Sequence, residues 1–366
     1  MIVREIPQMV VIDARNVHEV LPIAVSHLIL HGDERDSRNG KVILTPYPVT
    51  TIYRKPLERV LFWPERDANP FFHLYESLWM LNGRNDAGSV ARYAKNMINY
   101  SDDGKTIHDA YGYRWRKWFE FDQLEPIAEE LRVHRDSRRC VLQMWDPTSD
   151  LGKNGKAFPC NLCLTFQRDQ EGRLDMTLFC RSNDIIWGAY GANAVHFSVL
   201  LEYMAIWIGC PVGVFRQISV NWHAYREAFE QVKSVADFIN TPNPYETGYV
   251  ENLPMIYPTT QFEHPSVTIR RLDDQITEIL LQADTHFGLE RIKPRNPNPW
   301  QEMVLKILQA HEAWRELPAP ERFSQALLEL NAASVAVGKP VDWLFAATEW
   351  ILRRQKIWEE KVKRAN

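Results

Sequence analysis

The sequence predicts an α+β fold in which a largely antiparallel sheet is flanked by helices. Three apolar runs between residues 139 and 187 are separated by the turn-rich segments DPTSDLGKNGK and DQEG, a pattern typical of consecutive antiparallel strands. An apolar segment with helical spacing follows, roughly from Asn193 to Ile208. The chain has 366 residues, of which 45% are hydrophobic and 25% charged, so it is long enough and ordinary enough in composition to bury a full core.

The first third of the chain is predicted to hold a helix, a polar loop, a strand and a second helix. Residues 17–31 have helical spacing, and the polar loop GDERDSRNGK follows them. The segment VILTPYPVTTIYR is strand-like, and residues 70–82 are typical of an apolar helix that ends before a glycine. Glu76 is the one acidic residue of that helix, which makes it a candidate for a chemical role.

Beyond the predicted sheet, the segment VGVFRQISVNWHAY indicates another strand and FEQVKSVADFIN a helix. The Pro-rich segment 291–300 is predicted to be a linker, and the residues after it have the pattern of amphipathic helices. We therefore predict a main domain at 1–290, a linker at 291–300 and a helical C-terminal extension at 301–366.

Charge and hydropathy exclude several classes of partner. The net charge of -4 has the wrong sign for a protein held to nucleic acid by bulk electrostatics. The most apolar stretch, 199–215, contains Glu202 and a Gly-Cys-Pro turn, so it falls short of a membrane span. The N-terminus carries charges where a signal peptide would be apolar, and the five cysteines are an odd number. We expect a cytoplasmic protein, in the host cytoplasm if the source is a virus, without membrane or nucleic-acid partners.

Cys160 and Cys163 form a Cys-x-x-Cys pair at the start of an apolar strand, which suggests a metal or redox site. Side chains three positions apart on a regular strand point to opposite faces, and the chain has no second cysteine pair of this kind. We therefore predict that the protein holds no metal. Cys160 alone is either a small buried core residue or a nucleophile.

Arginines cluster at the ends of the predicted strands. Arg38 lies in the polar loop, Arg138 and Arg139 precede one strand, and Arg181 and Ser182 lie at the end of another. Arginine makes forked contacts to phosphate, and a nearby guanidinium lowers the pKa of a thiol. Each arginine alone could be a solvated charge; together they predict a phosphorylated small molecule bound beside a thiolate.

Seven stretches, in this order, give the chain a resemblance to the thymidylate synthase and pyrimidine nucleotide hydroxymethylase family: ERDSRNGK, HLYESLWMLNG, AYGYRWRKW, DSRRCVLQMWDP, FPCNLCLTFQ, FCRSNDIIWGAYGAN and VNWHAY. They cover roughly residues 20–230. The resemblance implies a thymidylate synthase-like mixed sheet, largely antiparallel, with residues 1–290 as the catalytic domain.

The resemblance also implies a covalent mechanism. Cys160 would add to C6 of the pyrimidine, so that C5 attacks the one-carbon unit of 5,10-methylene-tetrahydrofolate, the co-substrate. Arg181 would keep the sulfur ionised and would bind the nucleotide phosphate together with Arg38 and Ser182. Glu76 on its apolar helix should have a raised pKa and would act as an acid or base.

Further roles follow from the same resemblance. Arg138 and Arg139 would reach the site from the partner subunit, which implies a homodimer. Tyr111 matches the position linked to proton removal at C5. Asp184 would hold the folate pterin, and Trp187 would contact the folate; each aromatic residue could instead belong to the core.

The nucleotide itself would be read by three residues. His223 and Tyr225 alternate onto one strand face and would grip the sugar 3′-hydroxyl. Asn193 would donate to O4 and accept from N3–H of uracil, which favours dUMP. The stretch WGAYGAN has one residue more than the usual family spacing, so a shift in register would remove Asn193 from this role.

Three departures from the family pattern affect the reaction. Asn161 stands where family synthases have a histidine, the loop NMINYSDDG offers Met97 or Tyr100 instead of a tryptophan, and the chain lacks their short apolar C-terminal tail. Without these water-excluding features, water could add to the intermediate and give 5-hydroxymethyl-dUMP. The alternatives are thymidylate synthase proper, a dCMP or CMP hydroxymethylase, and a catalytically silent nucleotide- or RNA-binding relative.

Overall fold

The computed structural model of the protein describes residues 9–255, 265–285 and 298–365. Contacts divide the described residues into two compact units. The first unit contains the described part of residues 1–66 and 114–243, and the second contains that of residues 67–113 and 244–366. Each unit is therefore built from two separate stretches of the chain.

The strands are β1 (Val10–Ala14), β2 (Asp33–Ser37), β3 (Gly40–Leu44), β4 (Val49–Tyr53), β5 (Val141–Gln143), β6 (Asn161–Arg168), β7 (Leu174–Asp184) and β8 (Val212–Tyr225). The helices are α1 (Val17–His31), α2 (Pro70–Leu81), α3 (Ala87–Ala91), α4 (Tyr111–Arg116), α5 (Leu124–Val133), α6 (Pro147–Asp150), α7 (Asn193–Ile208), α8 (Arg226–Val232), α9 (Pro265–Asp284), α10 (Pro299–Glu316), α11 (Glu321–Val337) and α12 (Asp342–Ala365). Two 3-10 segments cover Lys95–Tyr100 and Lys233–Phe238, and a π-helical segment covers Ile185–Ala192.

The first unit is built on one mixed sheet of eight strands. Its main order is β1-β4-β8-β7-β6-β5, and β3, which forms a hairpin with β2, also pairs with β8. Among the described strands, only β1 with β4 and β7 with β8 pair in parallel. The predicted α+β fold, with a largely antiparallel sheet flanked by helices, is confirmed.

The predicted helix from Asn193 to Ile208 is α7, with the same bounds. Nearly every side chain of α7 is buried, which its continuous apolar sequence requires. Gly209 ends the helix with φ +76, a left-handed conformation that glycine adopts without steric cost. This helix provides Asn193 as its first residue.

The prediction of a polar loop over GDERDSRNGK is wrong, because this segment forms the β2–β3 hairpin. All five residues of β2 are exposed, so the strand has no alternation of apolar and polar residues by which it could be recognised. Arg38 and Asn39 form the turn, and Gly40 has φ +109. The hairpin fixes Arg38 at a turn instead of leaving it in a loop.

Other predicted boundaries shift by a few residues. The helix predicted at 229–240 begins at Arg226, ends at Val232 and continues as the 3-10 segment. Of the predicted linker 291–300, residues 291–297 lie outside the described residues, so the linker and its domain boundaries stay predictions. Its last two residues are helical instead: Pro299 and Trp300 begin α10, which Asn298 caps through a bond from Gln301 N (2.8 Å).

The second unit surrounds α2 with helices from the end of the chain. α2 contacts α9, α10 and α12 and is buried at every position except Phe72. At its rim, Tyr75 Oη donates to Asp284 Oδ1 (2.7 Å), and Arg84 Nη1 donates to Asp284 Oδ2 (2.8 Å). No helix within the described ranges is both long and apolar enough to cross a membrane.

Candidate active site

Cys160 and Arg181 are brought together at the ends of β6 and β7 in the first unit. Cys160 directly precedes β6 and is partly exposed. Arg181 N donates to the Cys160 carbonyl (2.9 Å), Arg181 Nε to the Pro159 carbonyl (2.8 Å) and Nη2 to the Phe158 carbonyl (3.1 Å). The guanidinium thus fixes the backbone that presents the thiol, a contact that the sequence did not reveal.

Opposite orientations of Cys160 and Cys163 require a regular strand, and the backbone between these two residues is not one. Cys160 lies before β6, and the pairing of β6 with β7 shifts between Asn161 and Cys163. Cys160, Cys163 and Cys180 are thiols that form no disulfide with one another, and burial raises the pKa of Cys163. Within the described residues, no three His, Cys, Asp or Glu side chains form a group that could hold a metal ion.

Asn193 lies beside Asn161 in a buried cluster of amides. Asn161 Nδ2 donates to Asn193 Oδ1 (3.0 Å), and Asn193 Nδ2 donates to Asn183 Oδ1 (3.1 Å). Cys180 Sγ contacts Asn161 Oδ1 at 3.0 Å. Asn161, which follows the candidate nucleophile, is therefore joined directly to the candidate base reader.

The extra residue of WGAYGAN lies in the π-helical segment before α7. Tyr190 and Gly191 have non-helical backbone angles inside the segment, and a Cβ on Gly191 would lie 2.8 Å from the Ile186 carbonyl. Asn193 is the first residue of α7, directly after this segment, and its register relative to the family stays a prediction.

Asp184, predicted to hold the pterin, caps this segment. Its Oδ1 accepts from Ile186 N (2.9 Å) and Trp187 N (2.6 Å), and its Oδ2 accepts from Tyr225 N (3.2 Å). Burial raises the pKa of Asp184, while these N–H groups and nearby His223 act in the opposite direction. Its carboxylate orients the backbone, and a folate contact stays a prediction.

Trp187 is 55% exposed, so the core alternative for it is wrong. The Arg66 guanidinium lies 4.4 Å from its ring centroid, and Arg66 Nε donates to the Ile186 carbonyl (2.7 Å). Arg66 is itself buried. The exposed indole, held by a cation on one face, fits a flat heteroaromatic ligand such as a pterin.

His223 and Tyr225 lie at the end of β8 with their rings 5.5 Å apart. In the parallel pairing with β7, Ser182 faces Asn221 and Asp184 faces His223. Asn39 Nδ2, beside Arg38 in the hairpin turn, is 3.5 Å from Tyr225 Oη. The ends of β7 and β8 and the hairpin turn thus lie in one region of the sheet, and the roles of Arg38, Ser182, His223 and Tyr225 in nucleotide binding stay predictions.

Arg138 and Arg139 do not approach Cys160 within the chain. They precede β5, whose Val141 pairs with Thr165 and whose Gln143 pairs with Cys163, so they lie toward the far end of β6. Both are exposed, and Arg139 Nη2 forms an ion pair with Glu130 Oε1 (2.7 Å). A role for this pair at the thiol would have to come from another subunit.

Glu76 and Tyr111 both belong to the second unit. Glu76 is 9% exposed on α2; burial, followed by the charge of Asp109, raises its pKa to about 8. A Cβ on Gly112 would lie 1.9 Å from the Met80 carbonyl, so the start of α4 approaches the α2 backbone as only glycine allows. Asp109 was missed in the sequence, although it lies two residues before Tyr111.

The model of the thymidylate synthase family matches residues 24–245 of this sequence.

The chain belongs to the thymidylate synthase family.

Individual relatives agree with this assignment and extend it beyond the matched region. A deoxyuridylate hydroxymethyltransferase of Pseudomonas phage M6 is 46% identical over 364 residues, 98% of each chain. A protein of the same description from Bacillus phage SP01 is 38% identical over 56% of each chain. A putative thymidylate synthase of Methanothermobacter marburgensis is 32% identical over 56% of this chain and 85% of its own.

These comparisons confirm the predicted family, and with it the prediction of a one-carbon transferase of the thymidylate synthase family. The similarity to the Pseudomonas phage protein covers nearly the whole chain, so it includes the C-terminal helices, for which the sequence offered no counterpart. The roles of individual site residues, the dimer and the folate contacts stay predictions.

Proposed function

We propose that this member of the thymidylate synthase family converts dUMP, 5,10-methylene-tetrahydrofolate and water to 5-hydroxymethyl-dUMP and tetrahydrofolate. The observation that carries the proposal is the 46% identity, over 98% of both chains, to a deoxyuridylate hydroxymethyltransferase. Three features of the chain support it: a thiol beside an arginine, an amide that can read uracil, and an asparagine instead of a histidine after the thiol.

Cys160 is the proposed nucleophile. Its sulfur adds to C6 of the uracil, and the electron pair of the C5–C6 double bond moves toward C5 and O4. Arg181 holds the backbone carbonyl groups of residues 158 and 159, so the cysteine loop is positioned before substrate binds. The positive guanidinium beside this loop favours the thiolate over the thiol.

Phosphate and sugar are held by the ends of β7 and β8 and by the hairpin. Arg38 and Ser182 join Arg181 at the phosphate, and His223 and Tyr225 bind the 3′-hydroxyl. Arg138 and Arg139 complete the phosphate site of the other protomer in a homodimer. This assignment is supported by their exposure and by their distance from Cys160 along β6.

Methylene-tetrahydrofolate, when bound, supplies the one-carbon unit at the oxidation level of formaldehyde. Trp187 offers its exposed indole to the pterin, and Asp184 orients the backbone that carries Trp187. Tyr111 takes part in removing the C5 proton. Glu76, with a pKa of about 8, is protonated in neutral solution and can pass a proton to a developing anion or back to water.

Water completes the proposed reaction. Before this step, C5 has bonded to the one-carbon unit and lost its proton, and the bond from that carbon to the folate nitrogen has broken, which releases tetrahydrofolate and leaves an exocyclic methylene group on the ring. The oxygen of water then bonds to the methylene carbon and gives up a proton, while the electron pair of the methylene double bond moves to C5. This pair re-forms the C5–C6 double bond as the Cys160–C6 bond breaks and releases the thiolate. No hydride leaves the folate in this sequence. The amides of Asn161 and Asn193 make the region around the thiol polar, which is compatible with a water molecule beside the intermediate.

The test is an assay in ¹⁸O-labelled water with dUMP, dCMP or UMP and methylene-tetrahydrofolate. We expect 5-hydroxymethyl-dUMP carrying the label, measured by mass, with no dihydrofolate absorbance. Cys160→Ser is the matched control and should form no product. Stoichiometric dihydrofolate with dTMP would contradict the proposal and make the enzyme a thymidylate synthase, and preferred turnover of dCMP would contradict the base assignment.

A further inference from the structure

A line of buried polar side chains runs from Asn193 to a backbone carbonyl of the first unit. Asn193 Nδ2 donates to Asn183 Oδ1 (3.1 Å), and Asn183 Nδ2 donates to Gln217 Oε1 (3.0 Å). Gln217 Nε2 in turn donates to the Ala189 carbonyl (3.2 Å). Gln217 is fully buried and Asn183 is 3% exposed, so water does not replace these partners.

The end of this line fixes its direction. A backbone carbonyl can only accept a hydrogen bond, so Gln217 must turn its Nε2 toward Ala189 and its Oε1 toward Asn183. Tyr53 Oη also donates to the Ala189 carbonyl (3.0 Å), and therefore accepts from Gln217 Nε2 at 3.3 Å. Asn183 must then donate to Gln217 and turn its oxygen toward Asn193.

The neighbours at the sides of the line do not set this direction. Ser219 Oγ accepts from Asn183 Nδ2 (3.0 Å), but a hydroxyl can rotate and donate instead. Asn161 Nδ2 donates to Asn193 Oδ1 (3.0 Å), but Asn161 is itself an amide whose Oδ1 contacts the Cys180 thiol, and a thiol likewise can donate or accept. The orientation of the Asn193 amide is thus determined through Asn183 and Gln217.

This orientation matters because an amide alone does not distinguish uracil from cytosine. With its NH₂ toward position 4 and its oxygen toward position 3, Asn193 matches the O4 and N3–H of uracil. Turned by 180°, the same amide would accept from the 4-amino group and donate to N3 of cytosine. The turned amide would place its oxygen against Asn183 Oδ1, so Asn183 would also have to turn. Gln217 would then have to turn as well, which would place its Oε1 against the Ala189 carbonyl, and two acceptors cannot form a hydrogen bond.

We propose that Asn183 and Gln217 are positioning residues that hold the Asn193 amide in its uracil-reading orientation and so determine base selectivity. The inference rests on the proposed function, in which Asn193 contacts the base of dUMP. Base selectivity then depends on the line of three amides, Asn193, Asn183 and Gln217, that ends at the Ala189 carbonyl. Removing Asn183 or Gln217 would allow the Asn193 amide to adopt the turned, cytosine-reading orientation as well.

The experiment measures kcat/KM for dUMP and for dCMP in the full-length enzyme and in four variants. Asn183→Ala and Gln217→Met break the line, and each should lower the ratio of dUMP to dCMP at least about tenfold, partly through a rise for dCMP. Asn183→Asp keeps an oxygen toward Asn193 Nδ2 and should retain the ratio within about threefold. Ser219→Ala is the matched control. It removes one hydrogen bond of Asn183 without changing which way the amides of the line point, so the ratio of dUMP to dCMP turnover should be unchanged.

Dissociation constants of dUMP and dCMP, measured in the Cys160→Ser background, give a second readout that does not require turnover. Equal losses for both nucleotides, with an unchanged ratio in folded Asn183→Ala and Gln217→Met, would show a structural role and overturn the inference. A fall of the same size in Ser219→Ala would overturn the directional argument. Failure of the unaltered enzyme to prefer dUMP would instead refute the proposed function, so the two failures are distinguishable.

Discussion

Replacing Glu76 by glutamine should change how the stability of the protein depends on pH. Burial and Asp109 raise the pKa of Glu76 to about 8 in the folded state, whereas the ordinary value is 4.5. Between these two values the unfolded chain has released the proton that the folded chain retains. The free energy of unfolding therefore falls as the pH rises through this window, and the stabilising contribution of the protonated group is complete below pH 4.5.

The size of the effect follows from the shift. One pKa unit corresponds to about 1.4 kcal/mol, so a shift from 4.5 to about 8 amounts to roughly 5 kcal/mol over the whole window and roughly 2 kcal/mol between pH 6 and pH 8. Glu76→Gln preserves the shape of the side chain and removes its titration. Relative to this variant, the unaltered protein should lose about 2 kcal/mol of stability from pH 6 to pH 8.

Reversible urea unfolding of both proteins at pH 6, 7 and 8 measures this difference, in which the titrations common to both cancel. Asp109→Asn is the matched control: it removes the second cause of the raised pKa but leaves the burial, so the pKa of Glu76 should fall partway and the slope should shrink. Parallel stability curves for the unaltered protein and Glu76→Gln would refute the conclusion that Glu76 is buried in its protonated form.

Three further experiments test other parts of the molecule. Cys160→Ser should abolish covalent capture of dUMP while nucleotide binding persists, and Cys163→Ser should keep most activity; mass spectrometry of the denatured adduct decides, and equal loss at both would revive the paired-thiol alternative. Arg138→Ala and Cys160→Ala, each inactive alone, should regain part of the activity when mixed, because a mixed dimer contains one complete site, whereas proven subunit exchange without recovery would contradict the shared site. Gly112→Ala should destabilise the protein by about 3 kcal/mol in urea titrations because its Cβ would overlap the α2 backbone, whereas Gly88→Ala, with open space around it in α3, should not; equal effects would contradict the close approach.

Periodicity predicted the buried elements well because a buried element needs apolar residues at regular positions in the sequence. α7 has the predicted bounds, since an unbroken apolar run ends at a glycine that can adopt positive φ. β2 has no such pattern, because both of its faces are exposed and its sequence contains no apolar residues that could alternate with the charged ones. The π-helical segment Ile185–Ala192 likewise has no periodicity by which it could be predicted.

The site residues that lie in recognisable family motifs could be predicted, because the order of these motifs along the sequence matches the family. The motifs indicated that Cys160 and Arg181 lie close together, but no sequence pattern shows that the Arg181 guanidinium donates to the carbonyls of residues 158 and 159. Asn183 and Gln217 were missed because isolated amides have no periodicity, and their partners are distant in sequence. Asp109 was missed for a similar reason, since its charge acts on Glu76 across a long separation in sequence.

The packing of α2 bears on where an autonomous piece of this protein could end. The family model stops at residue 245, yet α2, which carries Glu76, is covered by α9, α10 and α12 from beyond that point. A fragment that ends at residue 245 would expose the apolar side chains of α2 to water. Solvent would then reach the carboxyl group of Glu76, whose raised pKa depends on burial. A fragment that ends at residue 245 should therefore lose the burial that raises the pKa of Glu76, although it would retain every residue around Cys160 in the first unit.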